Sequence, residues 1–211
     1  MPLVPLELLL DASPLPPKVT ALLADAAVRI DAYFANRAAG TDGFVPCDHE
    51  LVYRALQSLR ADASVGRRWC EWGSGFGVVA GLAALLGFDA CGIEVDGTLV
   101  TASRELLAAH ALRVEIWPGS FVPDAYAASE RLSDLETRTV LSQGDAYGDM
   151  ERDIDDFDVI YAYPWPTEEE QYCDLFRRHA DVGSVLLTFS RTEGVRAYRK
   201  VAGPGRRHRC P

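Results

Sequence analysis

A glycine-rich turn between two apolar segments restricts most strongly how this chain can fold. The apolar run Trp69 to Trp72 predicts a strand, and three glycines at alternate positions follow it. Val78 to Leu86 predicts a helix that Gly87 ends, and Asp89 to Val95 predicts a second strand. A glycine turn at the start of a helix lets the backbone approach a ligand closely. The stretch therefore indicates an α/β fold with a ligand site after its first strand.

The rest of the chain continues this alternation of strands and helices. Apolar periodicity and turn residues predict helices over 99–111 and 167–180, and strands over 113–117, 157–162, 184–189 and 195–201. Strands separated by helices form a parallel sheet through right-handed crossovers. We therefore expect a Rossmann-like α/β fold, with a mostly parallel sheet, helices on both faces and an N-terminal helical extension.

The chain divides into four regions by composition and periodicity. Five prolines within residues 1–17 predict an extended arm, because proline disrupts regular helices. Two amphipathic segments predict a helical extension over 18–60, and residues 61–202 contain the alternating elements. Residues 203–211 form a basic tail, and the polar segment from Asp124 to Arg138 is interpreted as an insertion.

Composition restricts the partners that we expect. The formal net charge of −10 disfavours long nucleic acids, and no apolar segment is long enough to cross a bilayer. The five cysteines are odd in number and widely spaced, so we expect reduced thiols, no metal site and a cytoplasmic protein. A small molecule or a protein side chain is the expected partner.

The glycine spacing distinguishes between two classes of nucleotide-binding site. Dinucleotide folds use Gly-x-Gly-x-x-Gly, in which the third glycine allows close packing of the helix. In this chain the glycines are Gly73, Gly75 and Gly77, and Val78 occupies the third-glycine position. Glu71 before the turn is also atypical of a dinucleotide site. These two differences disfavour a nicotinamide-dependent oxidoreductase, which we keep as the alternative enzyme class. A non-catalytic cofactor-binding protein of the same fold is the second alternative.

An acidic residue followed by Gly-x-Gly-x-Gly resembles the first motif of the class I S-adenosylmethionine-dependent methyltransferases. The second strand adds Glu94, 21 positions after Gly73, and a carboxylate there can accept hydrogen bonds from ribose hydroxyls. The resemblance implies methyl transfer and assigns cofactor binding to five residues: Glu71, Gly73, Gly75, Gly77 and Glu94. It also implies an adenine contact after the third strand, which either Ser120 or Asp145 could supply.

A proline-rich loop after the fourth predicted strand is the expected acceptor site. Its sequence, Tyr163-Pro164-Trp165-Pro166, resembles the Asp/Asn-Pro-Pro-aromatic loop of amino-group methyltransferases. Tyr163 replaces the acidic or amide residue and Trp165 replaces the second proline, so the loop leaves the acceptor atom open. We expect Tyr163 and Trp165 to bind substrate, with a packing role as the alternative for Trp165.

Overall fold

The computed structural model describes residues 1–36, 43–128, 138–141 and 143–203. Within these ranges the strands are β1 Leu3–Leu6, β2 Arg68–Trp72, β3 Asp89–Glu94, β4 Glu115–Pro118, β5 Val159–Ala162, β6 Val185–Ser190 and β7 Gly194–Lys200. The helices are α1 Pro17–Asn36, α2 His49–Ala61, α3 Val78–Leu85, α4 Gly97–Ala109, α5 Asp124–Ala127, α6 Ala146–Asp149 and α7 Glu169–His179. A short 3₁₀ helix spans Ile154–Asp156.

The strands of the described chain form one sheet in the order β1-β7-β6-β5-β2-β3-β4. The neighbouring strands from β6 through β5, β2 and β3 to β4 are all parallel. In contrast, β7 runs antiparallel to both β6 and β1. The chain leaves β2 toward β3 on one side and later returns to β5 on the other. Ligands of open α/β sheets bind at such a switch point, beyond the carboxyl ends of the strands.

Helices cover both faces of the sheet, which confirms the predicted Rossmann-like α/β fold. Trp69 of β2 packs in the apolar cluster that contains α1, α2 and α3, whereas Cys70 and Trp72 pack in the cluster that contains α5, α6 and α7. Trp69 and Trp72 are both almost fully buried. Burial of one large apolar side chain stabilises a fold by roughly 1.5–3 kcal/mol.

Part of the proline-rich arm is a strand of the sheet. β1 pairs antiparallel with β7, with Leu3 opposite Lys200 and Leu6 opposite Ala197. Pro5 lies within this strand, which occupies an edge of the sheet. Proline lacks an N–H donor and is tolerated in an edge strand. The sequence pattern predicted the extended conformation but not its pairing.

Several element boundaries differ from the predicted ones. α4 begins at Gly97, earlier than expected, because the Asp96 side chain accepts hydrogen bonds from Thr98 N and Leu99 N. α7 begins at Glu169, later than expected, because Thr167 has a left-handed φ of 81° that a helix cannot contain.

Two predicted regions extend beyond the described part of the chain. The insertion contains α5, but its residues 129–137 lie outside the described residues, as do residues 204–211 of the basic tail. Within the described ranges, no helix has both the length and the apolar character that a membrane crossing requires.

Candidate functional site

A cavity of about 690 Å³ lies at the carboxyl ends of β2, β3, β5 and β6. We name two of its sides by their residues. The glycine-loop side is formed by Glu71, Gly73, Ser74, Glu94 and Asp96. The aromatic side is formed by Arg138, Tyr163, Trp165, Thr167 and Arg191. Five of the predicted site residues therefore line this cavity: Glu71, Gly73, Glu94, Tyr163 and Trp165.

The three glycines of the turn have different surroundings. Gly73 has a φ of 69° and lines the cavity, and a Cβ on it would meet no atom within 4 Å. A Cβ on Gly75 would lie 2.5 Å from the ring of Phe44, and one on Gly77 would lie 3.2 Å from Leu107 and Ser103 of α4. Gly73 therefore opens the backbone to the cavity, whereas Gly75 and Gly77 allow close packing. Neither of those two lines the cavity.

Glu94 is a buried carboxylate that holds the glycine turn in place. Its side chain is 7% exposed, and it accepts hydrogen bonds from Gly75 N at 2.7 Å and Asp96 N at 2.9 Å. Burial raises the pKa of Glu94, and the backbone hydrogen bonds from Asp96 and Gly75 oppose this rise. A carboxylate offers about four acceptor positions. Glu94 therefore retains capacity to accept hydrogen bonds from a ligand in the cavity.

Glu71 stabilises the start of α3. Its Oε2 accepts a hydrogen bond from Ala80 N at 2.8 Å, in a helix whose N-cap residue, Gly77, has no side chain. This bond satisfies one of the free N–H groups in the first turn of the helix. Burial raises the pKa of Glu71 well above its ordinary value, and the charge of nearby Glu94 adds to this rise.

Residues before α2 form a third wall that sequence reasoning missed. Phe44 covers Gly75, and its ring centroid lies 5.2 Å from that of Phe76. Cys47 and His49 also line the cavity. Burial raises the pKa of Cys47 to about 12 and lowers that of His49 to about 4, so at neutral pH the thiol is protonated and the imidazole is uncharged. The sequence contained one signal for this wall, which is the Val45-Pro46 step before α2, the helix that Asp48 caps.

Ser120 and Asp145, the two alternatives for an adenine contact, do not line the cavity. They form an isolated parallel bridge with each other. The hydroxyl of Ser120 donates to Val140 O at 2.7 Å, and Asp145 caps α6 by accepting from Gly148 N. Both side chains therefore have structural partners. The cavity wall in this region contains Gly119 and Phe121 instead, and the adenine contact remains a prediction without support from this geometry.

The proline-rich loop supplies the aromatic side of the cavity. Tyr163 packs edge-on against Phe189, with ring centroids 4.9 Å apart, and Trp165 is half-buried beside it. Thr167 has a positive φ, which is rare for a β-branched residue and costs of the order of 1–3 kcal/mol. Strained backbone of this kind is concentrated at functional sites.

Two further segments complete the aromatic side, and neither carried a motif. The first is Arg138 at the end of the insertion with Thr139 and Val140 after it, and the second is Ser190 at the end of β6 with the turn 191–193 that leads to β7. Their place in the site depends on contacts with elements that are distant in sequence. Thr139, for example, donates to Glu168, a buried residue at the start of α7. Sequence pattern alone contains no signal for such contacts.

The glycine-loop side has space and a hydrogen-bond acceptor for a nucleoside ligand. Gly73 leaves open space where any other residue would place a Cβ. Ser74 lies in the same turn with a buried hydroxyl that has no hydrogen-bond partner among the described residues. The Ser74 side chain lies against Gly92 of β3, where an added Cβ would come within 2.9 Å of its Oγ, so this hydroxyl faces the sheet. Gly73 and Glu94 could therefore hold a nucleoside cofactor on this side.

Comparison with known proteins places the fold. No protein-family model matches the sequence, and no curated protein matches it. The structure is similar to an RNA methyltransferase from Salinibacter ruber in complex with S-adenosyl-L-homocysteine, with a TM-score of 0.51 and 19% identity over 77% of this chain and 97% of that one. A methyltransferase from Geobacter sulfurreducens gives a TM-score of 0.52 and 15% identity, over 90% of this chain and 92% of that one.

These identities are low, so the likeness establishes the fold and leaves the reaction to the site. The predicted Rossmann-like architecture agrees with the sheet of this chain and with its overall similarity to these two solved structures. This chain has the fold of the class I S-adenosylmethionine-dependent methyltransferases.

Proposed function

We propose that the protein transfers a methyl group from S-adenosylmethionine to a small molecule or a protein side chain. The observation that carries this proposal is the position of Glu94, whose buried carboxylate lies on the cavity wall at the end of β3. Open space at Gly73 supports a ligand on the same side.

In this proposal the chain has two tasks, which are to bind the cofactor and to orient the methyl donor and the acceptor. Glu94 would accept hydrogen bonds from the ribose hydroxyls, and the backbone at Gly73 would lie against the cofactor. When bound, S-adenosylmethionine supplies an electrophilic methyl group on a sulfonium. Transfer is an in-line displacement, so the protein aligns donor and acceptor and excludes water without a covalent nucleophile. The protonated thiol of Cys47 agrees with this role for the protein.

The aromatic side is the proposed acceptor site. Tyr163 and Trp165 line the cavity at the carboxyl end of β5, next to the glycine turn in the sheet. Pro164 and Pro166 restrict the backbone of this loop and so hold both rings in place. An aromatic face can also attract a sulfonium or another cation by about 0.5–2 kcal/mol.

Val78 argues against nicotinamide chemistry. It is 3% exposed and lines the cavity at the first residue of α3. Dinucleotide folds require glycine at this position, because the helix must pack closely around the pyrophosphate site. The isopropyl side chain of Val78 occupies that space.

Isothermal titration with S-adenosylmethionine, S-adenosylhomocysteine and NAD tests the cofactor. We expect both sulfur compounds to bind with one site per chain and NAD to give no response. Tight binding of NAD with no response to the sulfur compounds would overturn the proposal. Transfer of a radiolabelled methyl group to the small-molecule or to the protein fraction of a cell extract then identifies the acceptor class. A protein that binds the cofactor but labels neither fraction would be non-catalytic.

A further inference from the structure

Two arginines line the aromatic side of the cavity without a carboxylate partner. Neither Arg138 nor Arg191 forms an ion pair within the described part of the chain. Both side chains are therefore available to a ligand. This is unexpected in a chain with a net charge of −10, because acidic groups outnumber basic ones.

Arg138 is held in position by contacts on two sides. Its backbone N–H donates to Glu168 Oε1 at 2.6 Å, and Glu168 is only 3% exposed. Its guanidinium lies 5.0 Å from the ring centroid of Trp165. Cation–π contact of this kind restricts a long side chain and leaves the N–H groups at its edge free to donate. The charge of Arg138 is therefore placed before any ligand arrives.

Glu168 also fixes the neighbouring residues of the same wall. Its second carboxylate oxygen accepts a hydrogen bond from Thr139 Oγ1, which lies 2.9 Å from the hydroxyl of Tyr172. Its backbone N–H donates to Trp165 O at 3.0 Å. Glu168 therefore connects the segment that carries Arg138 to the loop that carries Trp165.

Two acidic residues that line the same side interact with a different arginine. Glu193 and Glu169 line the cavity, but both have Arg196 as a partner. Glu193 forms a salt bridge with Arg196, and Glu169 lies 4.0 Å from the same guanidinium. Neither of these two carboxylates is therefore a partner of Arg138 or Arg191.

We propose that Arg138, with Arg191 as a second contact, recognises an anionic group on the methyl acceptor. The guanidinium fork matches a carboxylate or a phosphate through two parallel hydrogen bonds. This inference rests on the proposed function, since it places the acceptor on the aromatic side. It assigns the acceptor to molecules that carry a carboxylate or a phosphate close to the atom that is methylated.

Three small aromatic probes test the charge preference directly. Benzoate and phenyl phosphate carry the two anions, and benzamide is the neutral match for benzoate. Each is titrated into the wild-type protein with and without saturating S-adenosylhomocysteine. We expect the anions to bind about tenfold more tightly than benzamide, as for charge-assisted pairs with arginine. Equal affinity for benzoate, phenyl phosphate and benzamide would overturn the proposal.

Arginine variants show whether Arg138 causes the preference. Arg138→Gln should remove most of the difference between benzoate and benzamide, and Arg138→Lys, which keeps the charge but loses the fork, should retain part of it. Arg113→Gln is the matched control, because Arg113 is exposed and does not line the cavity. An unchanged preference in folded Arg138→Gln protein would contradict the assignment.

A second pair of ligands separates the acceptor from the cofactor. S-adenosylhomocysteine has an amino-acid carboxylate, whereas 5′-methylthioadenosine lacks it. We expect Arg138→Gln to leave the affinity ratio of these two ligands unchanged. A selective loss of S-adenosylhomocysteine affinity would show that Arg138 binds the cofactor, and would overturn the proposal. The titrations without S-adenosylhomocysteine report the anion preference even if the proposed cofactor does not bind.

Discussion

The glycine-loop side and the aromatic side of the cavity are built in different ways. On the glycine-loop side, the carboxylates of Glu71 and Glu94 bind backbone N–H groups at most 19 residues away along the chain. On the aromatic side, Glu168 binds residues that lie 29 and 30 positions before it. Short-range contacts leave a motif in the sequence, whereas long-range contacts do not. The glycine-loop side could therefore be predicted from the sequence, whereas the aromatic side could be recognised only in the fold.

The largest expected effect is that of Glu94→Ala on the glycine-loop side. The variant loses a charged acceptor for the ribose hydroxyls and also frees Gly75 N and Asp96 N. Such hydrogen bonds contribute about 1.5–3 kcal/mol, or roughly a ten- to hundredfold loss of S-adenosylhomocysteine affinity. Isothermal titration measures the loss, and circular dichroism checks the fold.

The matched control for Glu94→Ala is Glu115→Ala, which removes an exposed carboxylate from the neighbouring strand. It should leave the affinity unchanged. Equal affinity in folded Glu94→Ala protein would remove Glu94 from the cofactor site.

Gly73→Ala separates backbone strain from ligand contact. Gly73 and Gly87 both have positive φ values, of 69° and 83°, and open space around a Cβ. Alanine at either position should cost about 1–2 kcal/mol of folding free energy. Only Gly73→Ala should also weaken S-adenosylhomocysteine binding, by about tenfold for a loss near 1.4 kcal/mol. Titration and thermal melting of both variants make the comparison, and a similar affinity in the two would mean that Gly73 only shapes the turn.

The contrast between the two sides of the cavity explains how much of the fold and of the site could be predicted from the sequence. The alternation of strands and helices, the glycine turn and Glu94 follow from local patterns, so the fold class and the glycine-loop side could be predicted. The pairing of β1 with β7 could not, because it joins residues almost a whole chain apart. The same holds for Arg138, whose place depends on Glu168 and Trp165. Gly75 shows a subtler limit, because its motif position gives no sign that Phe44 covers it.

Glu71→Gln should change how stability depends on pH. Burial raises the pKa of Glu71 above its ordinary value of 4.5. The contribution of this carboxyl to the free energy of unfolding is therefore fully present below that pH. It is lost as the pH rises toward the folded-state pKa, because the unfolded chain releases the proton first. Glutamine stays uncharged, and its amide oxygen can still accept from Ala80 N. The melting temperature of the variant should therefore gain a few degrees on the wild type as the pH rises above the ordinary pKa of a glutamate. A difference in melting temperature that does not change with pH would contradict the raised pKa of Glu71.

The smallest expected effect is that of Trp165→Ala on cofactor affinity. Trp165 lies on the aromatic side, so S-adenosylhomocysteine binding should change by less than about threefold, or about 0.6 kcal/mol. Turnover of an identified acceptor should fall further than this. A loss of affinity as large as that of Glu94→Ala would place Trp165 in the cofactor site. Lower thermal stability with unchanged turnover would make it a packing residue.

The edge pairing between β1 and β7 has a consequence for how the chain folds during synthesis. The ribosome produces Leu3–Leu6 before almost all of the domain, yet their partner Gly194–Lys200 emerges near the end. Until then, β1 has no neighbour in the sheet, and contacts between distant residues form slowly. The central parallel strands can pair first, around β2 and β3, with β5 and β6 added as they are made. We therefore expect closure of this edge by β1 to be the last step of sheet assembly, so that the nascent chain carries an unpaired strand until Gly194–Lys200 has been made.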